Sequence, residues 1–385
     1  MKIIIAPDSF KGSMSAVEAA NSIHNGIKKA FANAETVLLP VGDGGEGTME
    51  TLVAATGGHE REVKVTGPLG NDILATFGIL GDRKTCVIEM ATASGLKLVP
   101  EGTSPLNTTT YGTGQLIKQA LDDGFTNFIL AIGGSSTNDG GAGMLQALGM
   151  QLLDREGKEV RFGGGALDEI YEIDRSDFDK RISSCSFLIA SDVQNPLIGI
   201  NGASYVFGPQ KGAGKEEVEV LDSNMAHWAD KVEQVTGVRL HDRPGAGAAG
   251  GIGGSFQAFF PSKMDRGIDV VLEYINIVKH LDGADLVITG EGRVDRQTIS
   301  GKTPMGVAQF AKQKEVPTII IGGAVGEGIG TLYDFGVVSV TSMMTRPMTI
   351  KEAMDEAEEL LTSSTEQVVR AYFYQNLESK RRMIL

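Results

Sequence analysis

Five stretches of this chain set acids, lysines and hydroxyls between glycines, and that pairing of residue types limits the chemistry they can do. The first is Ala6-Pro7-Asp8-Ser9-Phe10-Lys11-Gly12, and the second, at 42–47, reads Gly-Asp-Gly-Gly-Glu-Gly. The third, at 133–141, reads Gly-Gly-Ser-Ser-Thr-Asn-Asp-Gly-Gly, and the fourth, at 191–197, Ser-Asp-Val-Gln-Asn-Pro-Leu. The fifth, at 289–304, carries Glu291, Arg293, Asp295 and Lys302. Glycines free backbone amides to approach a ligand closely, and lysines neutralise anions. Carboxylates hold a hard cation or take a proton. Phosphoryl transfer needs this combination, because its catalysis is mostly positioning and charge neutralisation.

Each stretch suggests roles. Asp43 and Glu46, with glycines between them, suit a hydrated Mg²⁺, and Asp139 is a third carboxylate for the metal; capping of a helix by Asp43 is the alternative. Gly133, Gly134, Ser135, Ser136, Thr137 and Asn138 offer amides and hydroxyls to phosphate oxygens. Asp8, Ser9, Glu291 and Asn195 are candidates to bind the substrate, and Arg293 can grip a carboxylate with two parallel hydrogen bonds. Lys11 or Lys302 can neutralise the transferring group. Asp192 or Asp295 can take a hydroxyl proton, and Asn195 and Lys211 nearby favour Asp192 slightly. A structural network of salt bridges is the competing use of the charges in the fifth stretch.

Other motifs fail on inspection. Ser300-Gly301-Lys302-Thr303 ends like a P-loop, but Arg296 stands where the first glycine belongs. Residues 245–250 spell GxGxxG, yet His241-Asp242-Arg243-Pro244 precedes them where a strand should enter, so a glycine-rich ligand loop or a packing turn is the better reading than an NAD site. The five histidines lack metal spacing, and no GxSxG or Cys-His signature is present.

The elements that must hold these loops follow from periodicity. Apolar runs at 3–6, 36–41, 286–289, 317–321 and 337–341 read as buried strands, alternating with helices over 15–31 and 305–314. A last helix opens with Thr349 and Glu352 in capping-box spacing. Between residues 62 and 91, three β runs joined by short turns suggest antiparallel pairing. Helices over 114–122 and 142–148 flank a strand at 128–132, and another strand covers 186–190. The expected fold is α/β: a discontinuous parallel-sheet domain from 1–65 and 283–385, with a mixed α/β domain from 66–282 inserted in it.

Composition narrows the partners. The chain has 385 residues and a net charge of −14, with one basic cluster at Lys380-Arg381-Arg382, which argues against a nucleic-acid surface. Its 51 glycines are nearly twice the usual share of about 7% and cluster where apolar runs end. Cys86 and Cys185 lie in apolar runs and read as buried thiols of a reducing compartment. No stretch has the length of a membrane span and no signal peptide is evident, so a cytoplasmic location is expected.

Together the five stretches resemble the bacterial type-1 glycerate kinase family, along essentially the full length. The resemblance implies ATP-dependent phosphorylation of D-glycerate with Mg²⁺, and 2-phosphoglycerate rather than 3-phosphoglycerate as product. It also implies a flavodoxin-like domain from both chain ends, an inserted domain, and a site in the cleft between them. Kinase action on a related hydroxy acid and a non-catalytic sensor of glycerate or nucleotide are the rival readings. Oligomeric state is left open.

Overall fold

A computed structural model describes residues 1–299 and 302–374. Ser300, Gly301 and the basic cluster at 380–382 lie outside the described residues. Thirteen strands run in chain order: β1 (Lys2–Ile5), β2 (Glu35–Leu38), β3 (His59–Thr66), β4 (Asp72–Ile79), β5 (Thr85–Glu89), β6 (Asn127–Ala131), β7 (Gln151–Leu153), β8 (Glu172–Asp174), β9 (Ser186–Ala190), β10 (Ser262–Asp265), β11 (Leu286–Val294), β12 (Thr318–Val325) and β13 (Val337–Ser342). The chain divides into two compact units, one from Met1–Asp43 with Val271–Leu385, the other Gly44–Val270. Sequence boundaries near 65 and 282 differ from these because β3 pairs with β4 along its whole length and so stays in the second unit.

The first unit holds a five-stranded, wholly parallel sheet in the order β13-β12-β11-β1-β2. Read from the other edge, this is the 2-1-3-4-5 order of flavodoxin-like sheets. Both faces are covered, so the strands are apolar without alternation. Ile319 and Ile321 of β12 face the cluster that holds Ile23 and Ile27 of the helix Ala16–Ala30 and Leu361 of the helix Ala357–Tyr372. Ile320, one residue out of phase, joins Met305 and Ala308 of the helix Thr303–Gln313 on the opposite face. Ser15 caps the first helix, in a capping box with Glu18. Thr349 and Glu352 form the expected box, on the short helix Ile350–Asp355.

The second unit has a mixed sheet in the order β10-β9-β6-β5-β4-β3 and a small β7-β8 ribbon. Its first four strands are parallel, whereas β3, β4 and β5 form the antiparallel meander that their short turns predict. Phe128 stacks on Phe187 within its core, beside fully buried Trp228. Cys86 and Cys185 are buried free thiols. The fold is thus the expected one: a discontinuous flavodoxin-like sheet with a mixed α/β unit inserted.

Candidate active site

In an open parallel sheet, ligands bind beyond the carboxyl ends of the strands where the strand order reverses. In the first unit that point lies between β1 and β11. The chain leaving β1 meets β11 directly: Asp8 N–H donates to Gly290 O at 2.9 Å, and Thr289 Oγ1 donates to Ala6 O at 2.6 Å. A cavity of about 280 Å³ opens there, lined by Asp8, Ser9, Lys11, Asp43, Glu291, Gly292, Arg293 and Lys302. Seven candidate residues from three separate stretches of the chain are brought together in it.

Its electrostatics are those of crowded acids moderated by cations. Burial and then the nearby charge of Asp43 push the Asp8 carboxyl up to about 6, against the hydrogen bonds from Thr303 and the Ser9 amide. Thr303 Oγ1 donates to Asp8 Oδ2 at 2.6 Å, and Ser9 N–H to Oδ1 at 2.6 Å. Glu291 is almost buried and also raised, chiefly by desolvation. Thr298 Oγ1 donates to it at 2.6 Å, and Lys302 Nζ lies 3.7 Å away. Asp295 differs: the Gln297 amide and Arg293, whose Nε is 2.9 Å away, hold its carboxyl below the usual range. Thr303 and Thr298 carry no signal in the sequence beyond being threonines. A group of like charges in one cavity is what a divalent cation relieves, so Asp8 and Asp43 fit a Mg²⁺ that keeps most of its waters.

The second unit presents a separate cavity of about 130 Å³, lined in part by Gly133, Gly134, Ser135, Ser191, Val193 and Lys211. Lys211 is only 5% exposed, and its Nζ donates to Ser135 Oγ at 2.8 Å and Thr137 O at 2.6 Å. Desolvation drives its pKa down to about 7, opposed by the charge of Asp139. Sequence reading saw Lys211 only as a neighbour of the 191–197 loop, because Ser135 is 76 residues away.

The rest of the 133–141 loop is turned to structural use. Ser136 Oγ donates to Ser94 O and Asn138 Nδ2 to Ser204 Oγ, while Thr137 is fully buried. Asp139 is buried and accepts from Thr110 N, Thr110 Oγ1, Gly141 N and Gly143 N. Three of those donors converge on Oδ2 and one on Oδ1, so the carboxylate expected beside a metal ion instead ties this loop to the start of the helix Tyr111–Asp122. Glu46 pairs with Lys97 on the surface. Asp43 does not cap the helix Thr48–Thr56; Glu89, buried at the end of β5, accepts from Gly47 N at 2.8 Å there instead. Asp192 is exposed and accepts from Gly267 N at 3.1 Å, while Asn195 Nδ2 donates to Asn201 O within its own loop.

Residues 245–250 make no dinucleotide site. No strand leads into them, and Gly247 N donates to Asn195 O. Gly250, in the left-handed backbone region, packs against the backbone of Thr137, where a Cβ has no room. Among the described residues, Asp230, Glu233 and His241 cluster closely enough to hold a metal, and His241 Nε2 already meets Asp230 Oδ1 at 2.9 Å.

The glycerate kinase family model matches residues 3–373. This chain belongs to that family. It is 50% identical over 354 residues to the glycerate 2-kinase of Escherichia coli (strain K12), covering 92% of this chain and 93% of that one. It is 51% identical over 362 residues to a glycerate kinase of Bacillus subtilis (strain 168), covering 94% and 95%. A crystal structure from Salmonella typhimurium LT2, provisionally named glycerate kinase 2, superposes with a TM-score of 0.89 at 44% identity, over 98% of this chain and 99% of that one. Family membership therefore spans both units and both cavities. No helix among the described residues is long and apolar enough to cross a membrane.

Proposed function

We propose that this chain transfers the γ-phosphoryl group of ATP to D-glycerate, assisted by Mg²⁺. The carrying observation is the first-unit cavity, where Asp8, Asp43 and Glu291 meet Lys11, Lys302 and Arg293 at the switch point of a parallel sheet. Similarity to glycerate kinases supports the acceptor. Bound Mg²⁺, held by Asp8 and Asp43, would offset phosphate charge. Lys11 and Lys302 neutralise the transferring group, and Arg293 suits phosphate oxygens as well as a carboxylate. Glu291, fixed by Thr298, orients Lys302. The second unit receives the acceptor, and Asp192 takes its hydroxyl proton. Asp295 is the weaker base, since a carboxyl held low by the Gln297 amide and then by Arg293 resists protonation.

This reverses the sequence-based roles of Arg293 and of the 133–138 loop. The reason is physical: most side chains of that loop are committed internally, and its cavity of about 130 Å³ is small for a nucleotide tail. ADP release should depend on both D-glycerate and Mg²⁺; equal release without glycerate would remove the kinase reading. The product is proposed to be 2-phosphoglycerate. Coupling to enolase tests it, because phosphoenolpyruvate should form without added mutase, and a strict mutase requirement would reject it.

A further inference from the structure

A lysine nine-tenths buried needs a reason. Taking an ammonium out of water costs several kcal/mol unless a counter-ion compensates. Around Lys211 the described residues supply neutral oxygens, Ser135 Oγ and Thr137 O, rather than a carboxylate in an ion pair. Asp139 is the acid whose charge reaches Lys211, and its oxygens are already taken by Thr110, Gly141 and Gly143. The ammonium therefore faces a cavity short of negative charge.

The cavity is built to receive that charge. Gly133 and Gly134 border it, and Gly134 sits at positive φ, in the left-handed region. Gly133 N–H is given to Gly44 O at 3.4 Å, so the backbone offered to a ligand is that at Gly134, where the missing side chain permits close approach. The cavity holds about 130 Å³. That is well below the size of sites that enclose drug-sized ligands. A three-carbon acid suits it; a nucleotide does not. Ser191 and Val193 also line it, on either side of Asp192.

We propose that Lys211, with the backbone at Gly134, binds the carboxylate of the acceptor acid and so presents its hydroxyl groups to the Asp192 loop. The assignment rests on the kinase reading and goes beyond it by naming the acceptor's anchoring cation. A lowered ammonium pKa agrees with it: the incoming carboxylate restores the missing charge and draws a proton onto Lys211.

Calorimetric binding of D-glycerate and of Mg²⁺·ADP to wild type, Lys211→Met and Lys211→Arg tests the assignment without turnover. Lys211→Met should weaken D-glycerate roughly ten- to a hundredfold, as expected for loss of a hydrogen bond to a charged group, with Lys211→Arg retaining part of the affinity. Mg²⁺·ADP should bind within about twofold of wild type, and the melting temperature without ligand should hold or rise because a buried charge is gone. Loss of ADP binding with D-glycerate intact, or D-glycerate binding unchanged in Lys211→Met, overturns the proposal. A melting temperature lowered along with both affinities assigns Lys211 to the loop's structure and overturns it too. Should Lys211→Met not fold, wild type alone decides: D-glycerate binding at pH 8 in buffers of different ionisation enthalpy must show proton uptake, and its absence rejects the site. Failure of the kinase reading is separable, because wild type would then show no glycerate-dependent ADP release.

Discussion

Thr303 Oγ1 donates to Asp8 Oδ2 at 2.6 Å, joining residues 295 positions apart. Thr303 opens the helix Thr303–Gln313, and Asp8 follows β1, so the bond fixes the acid at the centre of the reversal point of the sheet. A hydroxyl donor favours the ionised carboxylate, but burial and Asp43 outweigh it and push Asp8 up to about 6.

The sign of the resulting pH dependence is fixed. A carboxyl raised in the folded state binds a proton there while the unfolded chain has lost it, so between the ordinary value of 3.8 and about 6 stability falls as pH rises. Asp8→Asn keeps an acceptor for Thr303, gives up the one for the Ser9 amide and removes the charge. Thermal melts should show this variant gaining on wild type as pH rises through that window and keeping the gain at pH 8. Turnover should nevertheless fall by about a hundredfold or more, since the cavity loses a cation ligand. A melt that drops at pH 8 would show that Asp8 is there to stabilise the fold.

Asp43 raises Asp8 by like-charge repulsion, and a divalent cation would satisfy both. Asp43→Asn should raise the Mg²⁺ concentration for half-maximal rate by about tenfold while leaving the D-glycerate KM near wild type, an ion–ligand loss on the order of 1.4 kcal/mol. It should also lower the Asp8 carboxyl toward its ordinary range, visible by carboxylate NMR titration. An unchanged Mg²⁺ dependence would place the cation elsewhere.

The proton acceptor separates by kinetics. Asp192→Asn should reduce kcat by roughly a hundredfold or more with the melting temperature unchanged. Asp295→Asn should cost far less in kcat and lower the melting temperature slightly by freeing Arg293. Normal turnover in both variants would exclude both; activity that falls only in step with melting would favour the salt-bridge network.

What was legible in the sequence was local. Thr349 and Glu352 are three residues apart, and the box forms as spaced. The parallel strands are legible because burial on both faces leaves runs such as Ile3-Ile4-Ile5. Asp8, Lys11, Glu291, Arg293 and Lys302 could be suspected because each follows such a run. Lys211, Glu89 and Thr303 could not, since their roles depend on partners 76, 42 and 295 residues distant. The 133–141 loop misled for the same reason: once the chain folds, the Ser136 hydroxyl donates to Ser94 O, the Asn138 amide to Ser204 Oγ, and Thr108 Oγ1 to the Ser136 carbonyl. Glycine spelling misled at 245–250, where the residues serve close packing.

Glu89 offers a prediction independent of catalysis. It ends β5, is buried, and accepts from the amides of Gly47 and Met49 at the start of the helix Thr48–Thr56, whose N-cap Gly47 has no side chain to do so. Desolvation, then Glu46 and Glu50 as like charges, outweigh those two bonds and push the carboxyl up to about 7. The folded state therefore holds a proton that the unfolded chain gives up between the ordinary 4.5 and about 7, and stability falls as pH rises across that window. Glu89→Gln retains an oxygen for the amides and cannot ionise. Its melting temperature should match wild type near pH 4.5, exceed it progressively toward pH 7, and stay higher at pH 8. Glu89→Ala loses the acceptor as well and should be destabilised by about 1–3 kcal/mol near pH 4.5, a deficit that shrinks toward pH 7 because alanine cannot ionise either. If Glu89→Gln melts below wild type at pH 8, the carboxylate charge is favourable where it stands, and the helix dipole, not desolvation, governs this corner of the second unit.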